Sequence, residues 1–227
     1  MSLTAAETTA LLLSLKVGLV AMLLTLPVAY ALAWLLARRR FPGRILLDAV
    51  VHLPLVLPPV VIGYLLLIAF GRDGPLSFLG EAVMFRWTGA AVAAALMALP
   101  LMVRAMRLAI EGVDRRLVGA ARSLGASPWR AFATVTLPLS LPGVLAGAVL
   151  GFAKAMGEFG ATITFVSSIP GETQTLPLAI YGLLQVPGSE SQVVRLAILS
   201  IILSLGALLV SEALVRRATR HRIADAL

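Results

Sequence analysis

The chain has 227 residues, of which 59% are hydrophobic and only 13% charged, with a formal net charge of +8. Soluble domains are roughly 45–50% apolar and about 25% charged, so this composition excludes an ordinary water-soluble domain and points to a bilayer as the solvent. The absence of cysteine excludes disulfides, iron–sulfur clusters and thiolate zinc sites.

Residues 1–9 carry Glu7 and no basic residue. A cleaved signal peptide wants a positive segment there, so the first apolar stretch is expected to be a permanent span. A crossing needs about 20 apolar residues, which places spans at about 11–37, 46–70, 87–108, 142–165 and 193–215. The first is interrupted only by Lys16, near its outer end, where a lysine can snorkel to the interface. The second holds His52, Pro54, Pro58 and Pro59; the prolines free backbone groups and bend it, while His52 reads as packed or hydrogen-bonded. The fourth carries Lys154 and Glu158, and Pro138 and Pro142 are expected to mark its re-entry into the membrane. Segment 173–186 is short and broken by Pro177 and Gly182. It is expected to be re-entrant or interfacial rather than spanning.

Charge fixes the expected orientation. With five spans and the N-terminus outside, fourteen of the seventeen arginines face the cytoplasm, leaving Arg72, Arg86 and Arg195 outside. That is the positive-inside distribution. Its C-terminal share is Arg216, Arg217, Arg220 and Arg222, in a short basic tail suited to anionic headgroups. The same pattern, arginines between apolar runs, argues against nucleic acid as a partner. The expected architecture is one all-α domain, residues 1–227: a polytopic helical bundle, N-out and C-in, multi-pass in the inner membrane.

The loop of residues 112–138, between the third and fourth spans, carries the most information. Asp114 is a good N-cap, and Leu117, Ala121 and Leu124 form a narrow apolar stripe flanked by arginines. Gly125 suits the left-handed position that ends a helix. Ser127 and Pro128 then restart one through Trp129 and Arg130. The local reading is two short helices outside the bilayer core.

Ala120-Ala121, three residues, Gly125, nine residues, Val135-Thr136-Leu137-Pro138 resembles the EAA loop of ABC importer permeases, with Gly119 where that family usually has Glu. The resemblance implies a coupling helix docking in a groove of an ATP-binding subunit through Gly119, Ala120, Ala121, Leu124, Gly125, Ser127, Pro128, Trp129 and Arg130. An amphipathic connector resting on the membrane is the alternative. Gly157-Glu158-Phe159-Gly160-Ala161-Thr162, Ser168-Ile169-Pro170-Gly171-Glu172-Thr173 and Leu57-Pro58-Pro59-Val60-Val61-Ile62-Gly63-Tyr64 look like molybdate-importer permeases over nearly the whole chain. Sulfate permeases share the Gly-Glu-Phe-Gly element, so a permease of the same type for sulfate is the nearest rival reading. The family implies a homodimer, two ATP-binding cassette subunits and an extracytoplasmic oxyanion-binding protein, with molybdate or tungstate as cargo.

The chain itself is not expected to hydrolyse ATP. A P-loop needs Gly-Lys followed by Ser or Thr, whereas Leu15 precedes Lys16 and Ala153 precedes Lys154, the only two lysines. No catalytic constellation, cofactor motif or metal-ligand spacing is present, and His52 and His221 are far apart. A divalent oxyanion needs a hydrated path, and Thr162, Thr164, Ser167 and Ser168 are candidate lining or gate residues, against ordinary back-bonding of hydroxyls to their own helix. Lys154 and Glu158 stand at i, i+4; they read either as a structural pair or as part of conduction or gating. An ion-coupled secondary transporter is the rival from another class, opposed by the lack of two related halves with discontinuous helices. An intramembrane enzyme is opposed by the missing catalytic groups.

Overall fold

The computed structural model describes residues 3–224 and contains only helices and connections among them. Arg216, Arg217, Arg220, Arg222 and His221 lie outside the residues whose side chains are described. Helix α1 covers Ala5–Arg38. It starts at a reciprocal cap in which Thr4 and Glu7 satisfy each other's backbone N–H groups. Val17, Ala21, Thr25, Ala29, Ala33 and Ala37 recur every four residues on its buried face. That stripe of mostly small side chains lets α5, Trp87–Glu111, approach closely. The Thr25 hydroxyl donates to Ala21 O at 2.7 Å and reaches Ala95 O of α5 at 3.3 Å. Helix α5 is the centre of the bundle. Its buried residues include Ala90, Ala91, Ala93, Ala94, Ala98, Met102 and Met106.

The stretch expected as the second span, 46–70, is broken into two helices, α2 (Arg44–Val56) and α3 (Pro59–Phe70), meeting at 113°. The cause is local. A residue before proline is driven out of the helical region, and Leu57 and Pro58 each precede a proline and are extended, with ψ of 143° and 133°. Pro54, by contrast, sits inside α2 without breaking it. Short turns, including α4 (Gly80–Val83), lead from α3 to α5.

At the fourth span the membrane-length run begins earlier, at Pro128. A short α7 (Pro128–Ala131), a π-helical segment (Phe132–Thr136) and α8 (Leu137–Met156) form one 29-residue membrane-length run. Pro138 and Pro142 lie within it rather than marking a turn. The wide π ladder relaxes the requirement for an amide at the proline position, which is how membrane helices absorb prolines. The run stops at Gly157, and α9 (Gly160–Val166) is a separate helix instead of the end of a span to 165. Helix α10 covers Leu176–Leu183. At eight residues it is too short to cross a bilayer, and it packs on Ala10 of α1 and Leu196 of α11 (Glu190–Ala224). Among the described residues four helices are long and apolar enough to span, five if the α2–α3 pair counts as one.

Charges tie the helix ends together. Arg195 of α11 donates to Glu7 of α1 from Nε at 3.0 Å, with Glu7 buried. At the opposite end, Arg38 Nη2 donates to Ile110 O and Val113 O, both at 2.9 Å. It thereby ties α1 to the backbone at and just beyond the end of α5. Arg107 of α5 bridges Glu111 and Asp48 of α2, each at 2.9 Å, and His52 Nδ1 lies 2.8 Å from Asp48 O. Lys16 finds an intramolecular seat, its Nζ 3.5 Å from the centre of the Trp87 ring.

Close backbone approach joins α3 to α9. A methyl group at Gly63 would lie 2.6 Å from Ala161 O and 2.7 Å from Thr164 Cβ. Gly63→Ala is therefore expected to separate the two half-helices and lower stability by about 1–3 kcal/mol. Thermal denaturation of the purified chain checks this, and an unchanged midpoint would show that the α3–α9 contact yields freely.

Candidate functional site

Two short helices project from the bundle at the end marked by Arg38 and Glu111. The first, α6 (Arg115–Ser123), opens on Asp114, whose carboxylate accepts from Arg116 N at 2.8 Å. It closes in a Schellman turn. Gly125 N donates to Arg122 O and Ala126 N to Ala121 O, both at 3.0 Å, with Gly125 at φ +87°. Ser127 caps the next helix by accepting from Arg130 N, and Pro128 takes its first turn. These are the helix, glycine break and restart expected from the sequence.

No residue of α6 is buried. Its two faces nevertheless differ. Arg115, Val118 and Arg122, spaced three and four apart, share the face that looks onto a cleft against α1 and the π segment. Leu117, Ala120, Ala121 and Leu124 occupy the opposite face, with Leu124 89% exposed and Leu117 49% exposed. Trp129, just beyond, is 74% exposed. The apolar side is turned away from the bundle, toward either a partner's groove or the membrane surface. A Cβ at Gly119 would meet nothing within 4 Å, so the surface around it is open.

A side-chain path leads from this surface into the bundle. Trp129 stacks on Phe132 with ring centres 5.2 Å apart. Phe132 meets Trp34 and Tyr30 of α1 edge-on at 6.2 and 6.1 Å. Tyr30 Oη lies 3.1 Å from Ser140 Oγ of α8. Sequence reading missed this cluster. Tyr30 and Trp34 stand four apart and so share a face, but nothing local shows that Phe132 lies against it.

The other candidates gather near α9. Lys154 Nζ donates to Glu158 Oε2 at 2.7 Å, so the i, i+4 pair forms. Glu158 is buried, and its second oxygen accepts from Ala161 N at 3.1 Å, capping α9. Thr164 donates to Gly160 O at 2.9 Å, which is back-bonding to its own helix. Thr162 is only 2% exposed and faces no open surface in this conformation. Ser167 is exposed at φ 62°, and Ser168 Oγ accepts from Gln174 Nε2 at 3.3 Å. No group of three or more His, Asp or Glu side chains is placed to hold a metal among the described residues.

A family model described as the binding-protein-dependent transport system inner membrane component matches residues 27–220. The molybdenum transport system permease protein ModB of Escherichia coli is 58% identical over 224 residues, covering 95% of this chain and 96% of that protein. The protein of the same name from Haemophilus influenzae is 57% identical over 216 residues, covering 93% and 94%. Among solved structures, the inward-facing MetNI methionine ABC transporter matches with a TM-score of 0.77 at 19% identity, covering 96% of this chain and 99% of that one. At that identity the likeness concerns the fold.

Proposed function

Since this chain belongs to the family of binding-protein-dependent transport system inner membrane components, we propose that it is the permease subunit of an ABC importer for molybdate, or the chemically similar tungstate. It works as a homodimer with two ATP-binding cassette subunits and an extracytoplasmic oxyanion-binding protein. The observation that carries the partner assignment is the outward apolar stripe of α6, Leu117, Ala120, Ala121 and Leu124, which the described residues leave uncovered. The cargo assignment is supported by 58% identity to a molybdenum transport permease along nearly the full length of both chains.

In this reading the N-terminus is outside, and α6 projects into the cytoplasm beside the arginine clusters. ATP binding closes the partner subunits and carries α6 with them. The Gly125 turn passes the displacement to Trp129 and Phe132, and the ring contacts pass it to α1. A divalent oxyanion cannot cross dry hydrocarbon, where the Born cost of one ion is on the order of 20 kcal/mol. Two copies of the chain therefore enclose a hydrated cavity open to one side at a time. Ser167, Ser168 and Thr164 contribute hydroxyls near one end of it, while the Lys154–Glu158 pair holds the break between α8 and α9 in shape.

Co-expression with the cognate ATPase and binding protein tests the assignment. The expected result is a stable assembly whose ATPase rate rises with molybdate-loaded binding protein and does not rise with sulfate-loaded protein. No assembly, or stimulation by sulfate alone, would overturn the partner or the cargo respectively.

A further inference from the structure

The face of α6 that turns inward has a chemistry the coupling role does not use. Arg115 and Arg122 of α6 and Arg38 of α1 border one cleft of about 290 Å³, together with Trp34, Phe132 and Thr136. None of the three arginines forms an ion pair among the described residues. The two carboxylates nearest in sequence to this corner are engaged elsewhere: Asp114 accepts from Arg116 N at the start of α6, and Glu111 is bound to Arg107. Arg38 is fixed in place by its two carbonyl contacts at 2.9 Å. Thr136 is only 4% exposed, borders the cleft, and makes no side-chain hydrogen bond. It ends the π segment, and π turns concentrate at functional sites. Three like charges gathered at the edge of a low-dielectric bundle repel one another unless an anion joins them.

We propose that this cleft binds a phosphate-like oxyanionic group, either the headgroup phosphate of an anionic lipid or a free tetrahedral oxyanion. Planar guanidinium forks match such an anion with paired N–H donors, and the Thr136 hydroxyl supplies a further donor. A tetrahedral oxyanion fits the volume; a whole lipid does not, so a lipid would enter by its headgroup with its chains along α1. The Trp34 and Phe132 rings suit the boundary between headgroups and hydrocarbon, where aromatic side chains collect. Because Phe132 also receives Trp129, an anion held here would brace the root of the coupling segment against α1. The site is independent of which cargo is carried.

The full-length chain, purified in detergent and stripped of lipid, provides the test. Native mass spectrometry would follow binding of dioleoylphosphatidylglycerol, with dioleoylphosphatidylcholine as the neutral comparison. Calorimetry would follow sodium orthophosphate and sodium molybdate. One saturable site per chain is expected, weakened about tenfold by Arg115→Gln and by Arg122→Gln separately, and unchanged by Arg104→Gln. Both key variants change a helix with no buried residue, so they should elute and unfold as the parent does. Binding of phosphatidylglycerol alone identifies the lipid headgroup. Orthophosphate or molybdate binding with the same dependence on both arginines identifies the free anion. If no probe binds, or binding ignores both substitutions, the proposal is overturned. It is equally overturned if the variants lose assembly with the ATPase while anion binding stays intact.

Discussion

Ala121→Trp and Gly125→Pro are expected to abolish ATP-driven uptake while leaving the chain inserted in the membrane at its normal level. The two substitutions act by different physics on the same handle. Ala121 lies on the outward stripe beside Leu117 and Leu124, where, in the proposed assembly, a partner's groove would close on small side chains. An indole at that position holds the two surfaces apart. Gly125 sits at φ +87° and donates its N–H to Arg122 O. Proline requires φ near −65° and has no N–H, so α6 and α7 would lose their fixed angle. Leu124, at 89% exposure, supplies a graded version. Burying a leucine is worth about 1.5–3 kcal/mol, so Leu124→Ala should weaken assembly by about 10–100-fold. For Ala121→Trp the loss should reach at least about 100-fold, as at the centre of an interface. Arg116→Gln, on the flank of α6, serves as the unaffected comparison. Uptake by membrane vesicles and co-elution of the ATPase subunit are the readouts. Normal uptake by both Ala121→Trp and Gly125→Pro would mean that the stripe has no partner and that α6 is only a connector.

The parts of this site that could be read in the sequence are those whose cause is local. Asp114, Gly125 and Ser127-Pro128 each act within a turn of their own position, so capping rules place them without a fold. The long apolar runs behind α1, α5 and α11 are legible for a similar reason, because span length is set by the bilayer and not by tertiary contacts. Prolines misled in two directions. Pro138 and Pro142 read as a turn, yet the helix runs on through both, Pro138 just after the π segment and Pro142 inside α8. The Leu57-Pro58-Pro59 run reads as a bend within one span, yet two successive extended residues make it a 113° corner. Both outcomes depend on which carbonyls find other partners, which a proline alone does not specify. The Phe132–Trp34–Tyr30 cluster and the seat of Lys16 on Trp87 join residues far apart in the chain. No periodicity encodes those. The inward face of α6 was half legible: the spacing of Arg115, Val118 and Arg122 shows that they share a face, but only the fold shows that Arg38 stands opposite.

Glu158→Ala should be among the most damaging single substitutions in the chain, and pairing it with a second change should decide what the residue does. The carboxylate is buried, with one oxygen on Lys154 Nζ at 2.7 Å and the other on Ala161 N at 3.1 Å. Removing it leaves Lys154, whose side chain is 29% exposed, without its counter-charge and uncaps α9. Breaking a buried pair from one side costs about 3–5 kcal/mol, enough to lower the amount of folded chain in the membrane sharply. Replacing both members at once removes the stranded charge, and well-packed apolar substitutes for an ion pair are often neutral. Lys154→Met combined with Glu158→Met should therefore regain most of the thermal stability, short of about 1 kcal/mol for the lost bond to Ala161 N. If the pair only holds the α8–α9 break in shape, uptake should return along with stability. A double variant that is stable and assembled but transports nothing would instead place Lys154 and Glu158 in the conduction or gating step. A single Glu158→Ala variant with normal stability would contradict the buried geometry itself. Glu158→Gln separates the two bonds, since it keeps an acceptor for Ala161 N while discarding the charge on the Lys154 side. Stability between that of the parent and that of the alanine variant is expected for it.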